Sequence, residues 1–290
     1  MTSLLQVPAT KRRPLTPLRY PGGKHKLTEL LFRSIVAMNK PDVTYVEPFA
    51  GGAGAALALL DADDVANIVV NDLDPAVYAF WYSAVHASEK MCALVDSVDV
   101  TQATWLEQRE IYRSKTEDRL ALGFATLFLN RTSRSGVLGA GIIGGKAQEG
   151  RYKVEARFYR STLLQRLARI GELASRIDVR NTDGLTLITE LGTSPTHFLY
   201  VDPPYYHKGA SLYLNSLEHA DHLHLATALN AVASGIWLLT YDVSDAVSEA
   251  YINRRQALIA LQYSAHSPRV ARELLVMSDA VVVPGLTQSH

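Results

Sequence analysis

Residues 42–60 read DVTYVEPFAGGAGAALALL, and this stretch decides the fold. It opens with the β-rich run Asp42–Val46, which predicts a strand. The turn-like segment Glu47–Gly54 follows, and its glycines allow a ligand to approach the backbone. Ala55–Leu60 consists of strong helix formers, so it predicts a helix whose N-terminus offers free N–H groups. Strand, glycine-rich turn and helix in this order are typical of a doubly wound α/β fold.

The neighbouring segments extend this unit into a largely parallel sheet. Apolar residues recur at helical spacing from Leu27 to Met38. Asn67–Val70 predicts a second strand, and Asp74 then caps a helix that begins at Pro75. Later apolar runs predict three more buried strands, at Phe198–Val201, Ile236–Leu239 and Leu274–Met277.

An acid follows the second predicted strand. Asp72 lies about twenty residues after the glycine-rich turn, where dinucleotide-binding folds place an acid on both ribose hydroxyls. A glycine cluster alone can be an ordinary tight turn. Together with Asp72, it favours a nucleoside-type ligand.

A second glycine-containing motif is Arg19-Tyr20-Pro21-Gly22-Gly23-Lys24. It is not a phosphate-binding loop, because Leu18 stands where the first glycine belongs and His25 replaces the Ser or Thr. The motif instead predicts a flexible turn that presents an aromatic ring and a cation. These groups suit a purine or sulfonium face and a carboxylate, although a plain loop is an alternative.

The most informative motif is Asp202-Pro203-Pro204-Tyr205. It stands at the carboxyl end of a predicted strand, where open α/β sheets bind ligands. A carboxylate and a backbone carbonyl that accept both protons of an aromatic amine make its nitrogen more nucleophilic. The prolines fix φ and stiffen the turn, and Tyr205 offers a flat face to a base. The alternative is a rigid turn without chemistry.

These motifs, in this order, resemble the Dam-like (D12 class) DNA adenine-N6 methyltransferases. The resemblance implies a Rossmann-like methyltransferase sheet with an inserted, mainly helical recognition region. It also implies methyl transfer from S-adenosylmethionine to N6 of an adenine flipped out of double-stranded DNA. The matching segments are Arg19–Lys24, Glu47–Gly54, Asn71-Asp72, Leu129-Asn130-Arg131 and Asp202–Tyr205.

The resemblance also assigns site residues. Asp202, Pro203 and Tyr205 become the catalytic residues that hold the target adenine, and no metal is needed. In the family's F-x-G-x-G pattern the last glycine is replaced by Ala53, so a loop of altered shape is expected. The residues expected to bind S-adenosylmethionine are Tyr20, Gly23, Lys24, Phe49, Gly51, Gly52, Asp72, Asp183 and Asp202.

Charge is unevenly distributed, although the formal net charge is zero. Residues 101–180 carry 15 Lys+Arg and 8 Asp+Glu, a local charge of +7. A phosphate-binding surface needs such local charge. A solvated helical face is the alternative. The expected DNA contacts in this region are Asn130, Arg131, Ser133, Arg134, Lys146, Arg151 and Lys153.

The expected domain organisation follows from these assignments. Residues 1–17 form a flexible N-terminal arm, residues 18–100 and 181–290 form the catalytic domain, and residues 101–180 form the target-recognition insertion. The cluster of histidines around Asp221 could suggest a metal site. The start of a helix, with Asp221 near its cap, is the preferred interpretation.

Several alternatives remain open from the sequence. The polymer could be RNA, the acceptor could be a protein glutamine amide, or the chain could be a non-catalytic nucleic-acid-binding module. A single cysteine, Cys92, and the absence of a long apolar run predict a cytoplasmic protein without a membrane span. The sequence leaves open the target site, a partner restriction enzyme and the oligomeric state.

Overall fold

The computed structural model describes residues 4–19, 24–40, 42–206, 218–232, 234–263 and 269–286. These residues form one eight-stranded mixed sheet with the strand order β1-β7-β8-β6-β5-β2-β3-β4. The strands are β1 (Leu4–Gln6), β2 (Thr44–Glu47), β3 (Asn67–Asn71), β4 (Ile177–Arg180), β5 (His197–Val201), β6 (Ile236–Asp242), β7 (Arg255–Tyr263) and β8 (Arg269–Met277).

Most neighbouring strands are parallel. Strands β4, β3, β2, β5 and β6 form one parallel block, and β1 is parallel to β7. Only β8 is antiparallel to both of its neighbours, β6 and β7. The predicted doubly wound, largely parallel α/β sheet is therefore confirmed. The antiparallel β7–β8 pair was not predicted.

Helices cover both faces of the sheet. Successive strand residues point to opposite faces, so Tyr45 and Phe198 join one apolar core while Val46 and Leu199 join the other. The helices are α1 (Thr28–Ala37), α2 (Gly54–Asp61), α3 (Pro75–His86), α4 (Ser88–Ser97), α5 (Gln102–Ser114), α6 (Arg119–Thr132), α7 (Arg160–Glu172), α8 (Gly184–Leu191), α9 (His219–Ala231) and α10 (Asp245–Ala250). Among the described residues, none of these helices has the length and apolar character of a membrane span.

Local signals explain where several helices begin. Asp74 caps α3 by accepting the Ala76 N–H at 2.8 Å, as predicted. The histidine-rich segment begins α9, also as predicted, and Asp221 closes a capping box there by accepting the Glu218 N–H at 2.8 Å.

The order of the strands reverses at β2. Its neighbours are β3 on one side and β5 on the other, both parallel to it. In open α/β sheets such a switch point opens a crevice at the carboxyl ends of the strands, where ligands bind. The chain places the glycine-rich turn after β2 and the tetrad Asp202–Tyr205 after β5. Both motifs therefore flank the same crevice.

Residues 4–17 are docked onto the sheet, which differs from the predicted flexible arm. Strand β1 extends the sheet by pairing with β7, and Leu5 and Leu15 are buried. Arg12 forms ion pairs with Glu29 at 2.6 Å and with Asp64. Two features account for the docking: without β1 one edge of β7 would have no neighbouring strand, and Glu29 and Asp64 attract Arg12. Neither feature can be recognised from the composition of residues 4–17.

The helices of residues 101–180 belong to the main core. Helix α6 packs on α3, and it contributes Leu127 and Phe128 to the same core as α7 and β4. Strand β4 also lies within the range predicted as an insertion. The glycine-rich connection between α6 and α7, residues 133–159, which we call the recognition loop, contributes Ile142, Val154 and Phe158 to the same core.

Arg12→Ala should lower the free energy of unfolding by about 3 kcal/mol, because removing one partner of a largely buried ion pair leaves uncompensated charge. The neighbouring Arg13 is exposed, so Arg13→Ala is the matched control and should change little. Urea unfolding of both variants measures the difference. Equal losses would show that the arm does not depend on these ion pairs.

Candidate active site

The carboxylate of Asp202 is held at the carboxyl end of β5. Thr240, on the adjacent β6, donates its hydroxyl proton to Asp202 Oδ1 at 3.0 Å. Because that proton is engaged, the Tyr200 hydroxyl, 2.7 Å from Thr240 Oγ1, acts as donor to it. Lys24 Nζ lies 3.3 Å from the same Oδ1. Among the described residues, none of the hydrogen bonds reaches Oδ2 of this side chain, which is 23% exposed.

Lys24 is a buried cation between two carboxylates. Its Nζ lies 2.8 Å from both carboxylate oxygens of Glu273, and the two side chains are only 6% and 4% exposed. Such a buried pair is stable only while both partners are present. Lys24 was predicted to contact the cofactor. The structure gives it these ion pairs, and its cofactor contact stays a prediction.

Glu273 is the site residue that sequence reasoning missed. It lies in the middle of β8, followed by the apolar residues Leu274–Met277. A charged residue within a buried strand requires a partner. The position of Glu273 directly before this apolar run could therefore have identified it as a site residue.

The ring of Tyr205 is fixed by the same network. Its hydroxyl accepts a hydrogen bond from Lys24 at 3.3 Å and donates one to Glu273 at 3.1 Å. Lys24 Nζ also lies 5.3 Å from the ring centroid. The next residue, Tyr206, donates its N–H to Asp242 Oδ1 at 2.9 Å. The tetrad is therefore held from both β6 and β8.

Burial controls the protonation of this site. It raises the pKa of Asp202 to about 6, against the opposing effect of Lys24 and with a further increase from the charge of Glu273. Burial also raises the pKa of Glu47 to about 8, although the Ala56 N–H and the Tyr45 hydroxyl both donate to it. Near pH 7 Asp202 is therefore ionised while Glu47 is largely neutral.

The glycine-rich turn is tied to the end of β3 through Asp72. One carboxylate oxygen accepts the Gly51 N–H and the other accepts the Asp74 N–H, both at 2.9 Å. The Trp81 indole N–H donates to the Gly51 carbonyl at 2.8 Å. Burial raises the pKa of Asp72 to about 6. Asp72, which is expected to hold a ribose, therefore also fixes the conformation of the glycine-rich turn.

Ala53 explains how the chain departs from the glycine pattern. It has φ +45° and ψ +36°, in the left-handed region that favours glycine, and it immediately precedes α2. A Cβ at Gly54 would meet only ordinary contacts, the nearest at 3.7 Å. Ala53 is therefore the residue before α2 that adopts the left-handed conformation, and Gly54 is an unstrained first residue of the helix.

The loop after β4 packs against the glycine-rich turn. Asp183 caps α8 by accepting the Thr186 N–H at 3.1 Å. A Cβ added to Gly184 would lie 2.6 Å from the Phe49 ring, so glycine is required for this close approach. Phe49 and Asp183, both predicted cofactor contacts, are thereby brought together with the turn. Tyr20 and Gly23, predicted for the same role, lie outside the described residues.

The predicted DNA contacts fall into two groups. Asn130 and Ser133 are buried, and they organise the protein itself. Asn130 donates to the carbonyls of Arg19 and Gly136 at 2.9 and 2.8 Å, and Ser133 accepts the Trp105 indole N–H at 3.1 Å. Arg131 is buried as well. The predicted contacts that are exposed on the recognition loop are Arg134, Lys146, Arg151 and Lys153.

Comparison with models of known families identifies a family that matches most of the chain. The family model of D12 class N6 adenine-specific DNA methyltransferases matches residues 20–263. Of the solved structures, the rRNA methyltransferase aviRa from Streptomyces viridochromogenes has 15% identity and a TM-score of 0.37, with 90% of this chain and 86% of that chain covered. The protein LPL1258 from Legionella pneumophila has 11% identity and a TM-score of 0.34, with 93% and 86% covered. These scores are too low to support any conclusion. No curated protein matches the chain significantly.

Ala53→Gly should raise the free energy of unfolding by about 0.5–1 kcal/mol, because it relieves left-handed strain at some cost in chain entropy. Ala55→Gly, two residues later inside α2, is the control and should destabilise by about 1 kcal/mol or more. Both values come from denaturant unfolding. A loss of similar size in the two variants would mean that Ala53 is not strained.

Proposed function

Since the chain belongs to the D12 class N6 adenine-specific DNA methyltransferase family, we propose that it transfers the methyl group of S-adenosylmethionine to N6 of an adenine flipped out of duplex DNA. The observation that carries this proposal is the arrangement of Asp202. Its Oδ1 is held by Thr240 and Lys24, and its Oδ2 is engaged by none of the described residues. A partly exposed carboxylate oxygen in a ligand crevice suits an amine donor.

Asp202 would act on the amine in two ways. Its Oδ2 accepts one N6–H, which orients the nitrogen lone pair away from the ring system. The carboxylate then stabilises the positive charge that develops on N6 as the new N–C bond forms. Lys24 and Thr240 keep Oδ1 in place, so no reorganisation is needed during the reaction. The proton leaves N6 after the transfer, and no strong base is required.

Pro203 and Tyr205 would complete the adenine site. The carbonyl of Pro203 accepts the second N6–H, and the ring of Tyr205 stacks on the flipped base. Lys24 and Glu273 fix the Tyr205 hydroxyl, which favours one orientation of this ring. When bound, S-adenosylmethionine supplies an activated methyl group on a sulfonium.

The residues around the glycine-rich turn fit such a cofactor. Asp72 uses one hydrogen-bonding site on each oxygen for a backbone N–H, and each ionised oxygen can accept another hydrogen bond. It can therefore also hold ribose hydroxyls. Gly51 and Gly52 leave the backbone of the turn without side chains, and Phe49 and Asp183 lie beside it. We propose this set as the cofactor site.

The recognition loop is the proposed DNA-facing surface. Its exposed cations Arg134, Lys146, Arg151 and Lys153 suit phosphate contacts. Asn130 and Ser133 are left out of the proposed contacts, because both already make internal hydrogen bonds. A partner restriction enzyme and a cytoplasmic location stay predictions from the sequence.

The test is transfer of a labelled methyl group to duplex DNA, RNA and protein, followed by nucleoside analysis. N6-methyladenine in DNA is the expected product. Label that appears only in RNA or protein would exclude the proposal and support the corresponding alternative.

Asp202→Ala should reduce the single-turnover rate at saturating cofactor and DNA by about 10²- to 10³-fold or more, as for loss of a preorganised group that stabilises transition-state charge. Asp245→Ala removes an exposed carboxylate at the start of α10 and serves as the control. Circular dichroism checks that both variants fold. Near-normal turnover in Asp202→Ala would show that the tetrad is a structural turn without a catalytic role.

The pH dependence of the rate should report Asp202. Only its ionised form accepts N6–H, and its pKa is raised to about 6. The wild-type rate should therefore fall as the pH drops through about 6, by about tenfold per pH unit below it. Glu273→Gln removes a negative charge that raises this pKa, so the acid limb should move to lower pH. An unshifted limb, or a shift to higher pH, would contradict this account.

A further inference from the structure

Three arginines from separate segments lie close enough for their charges to interact. Arg19 opens the motif Arg19–Lys24, Arg131 lies near the end of α6, and Arg166 is on α7; we call them the arginine cluster. The side chain of Asn130 accepts the Arg19 N–H at 2.7 Å and donates to the Arg19 carbonyl, which fixes Arg19 beside α6. Arg166 Nη1 donates to the Thr16 carbonyl at 2.6 Å, which joins α7 to the same segment.

Nothing in the described residues neutralises this cluster. None of their ion pairs includes Arg19, Arg131 or Arg166. The residues outside the described part contain no Asp or Glu, so they cannot supply an acidic side chain. Arg19 Nη1 and Arg131 Nε are buried without an acceptor, and Arg131 is only 7% exposed.

The charges repel one another. Burial, together with the charges of Arg166 and Arg19, lowers the pKa of Arg131 to about 10. Burial also lowers the pKa of Arg19, together with the charge of Arg157, an exposed residue of the recognition loop. A buried guanidinium normally has a carboxylate partner. Its absence here points to an anion that comes from outside the chain.

Elsewhere the chain pairs comparable arginines. Arg169 lies three residues after Arg166 on the same helix, and it forms ion pairs with Asp61 at 2.7 Å and Glu172 at 2.8 Å. Arg12 is paired in the same way. The arginine cluster differs from Arg12 and Arg169 in having no acidic partner among the described residues.

We propose that the arginine cluster binds a backbone phosphate of the nucleic acid substrate, an inference that rests on the function proposed above. A phosphodiester carries one negative charge and offers oxygens that match the guanidinium fork. Arg19 directly precedes the segment that leads to Lys24, and Arg131 lies two residues before the recognition loop. A phosphate held there would be bound by residues adjacent in sequence to both the motif of Lys24 and the recognition loop.

Partial burial makes this contact strong. Charge-assisted hydrogen bonds gain strength where water is excluded, and a single held phosphate fixes the strand on which the base flips. The arginine cluster would therefore contribute to affinity for any sequence. Its loss should not change which base is methylated.

Arg166→Gln is the variant that tests the proposal, and Arg169→Gln is its matched control on the same helix. Binding to duplex DNA should weaken about tenfold or more in Arg166→Gln, as expected for loss of a hydrogen bond to a charged group. The slope of log K against log salt should fall by about 1. Arg169→Gln should leave both quantities near wild type. Fluorescence anisotropy over a series of salt concentrations measures them.

Thermal stability gives a second readout with opposite signs. Without DNA, Arg131→Met should raise Tm because it removes a buried, unpaired charge, whereas Arg169→Gln should lower Tm because it leaves Asp61 unpaired. Inorganic phosphate should raise the Tm of wild type and of Arg169→Gln more than that of Arg166→Gln. Arg131→Met, which removes the buried charge with little change in volume, should respond to phosphate like Arg166→Gln.

Two outcomes would overturn the proposal. One is wild-type DNA affinity and salt slope in Arg166→Gln. The other is weakened binding of S-adenosylmethionine with unchanged DNA binding, which would assign the arginine cluster to the cofactor carboxylate. If wild type transfers methyl groups to DNA, either outcome refutes the phosphate site alone. If wild type modifies no DNA, the proposed function fails, and the phosphate-dependent Tm still decides whether the cluster binds phosphate.

Discussion

The buried ion pair between Lys24 and Glu273 is the interaction on which the site depends. It joins a residue from the start of the chain to one near its end, and both partners are almost inaccessible to water. Removing either partner of such a pair leaves an uncompensated charge in the interior. Asp202 and Tyr205 are held by the same two residues. The geometry of the tetrad therefore requires that both ends of the fold are in place.

The antiparallel strand makes this arrangement possible. In the parallel block, residues at the end of a strand and just after it reach the carboxyl edge where ligands bind. Because β8 runs in the opposite direction, it begins at that edge. Glu273 lies opposite Asp242, the last residue of β6, and so a residue within a strand can contact the tetrad after β5. If β8 were parallel to β6, its carboxyl end rather than its start would lie at that edge.

The sequence predicts what local pattern encodes. Strands β2, β3, β5 and β6, the cap at Asp74 and the tetrad at the end of β5 all follow from short runs of residues, and the structure confirms these elements. The partner of Lys24 is 249 positions away along the chain, so no local pattern identifies it. Asn130 and Ser133 have residue types that suit phosphate contacts equally well. Only their burial shows that they organise the protein instead.

Local net charge also overestimates the number of cations that are available to a ligand. Several arginines of the positive segment stabilise the fold itself. Arg160 donates to the carbonyls of Asp96 and Val98 at the end of α4, and Arg176 donates to the carbonyl of Ala66. These side chains satisfy backbone groups that would otherwise lack partners. The cations that remain for a ligand are those the protein does not use internally, which is a property of the folded chain and not of its composition.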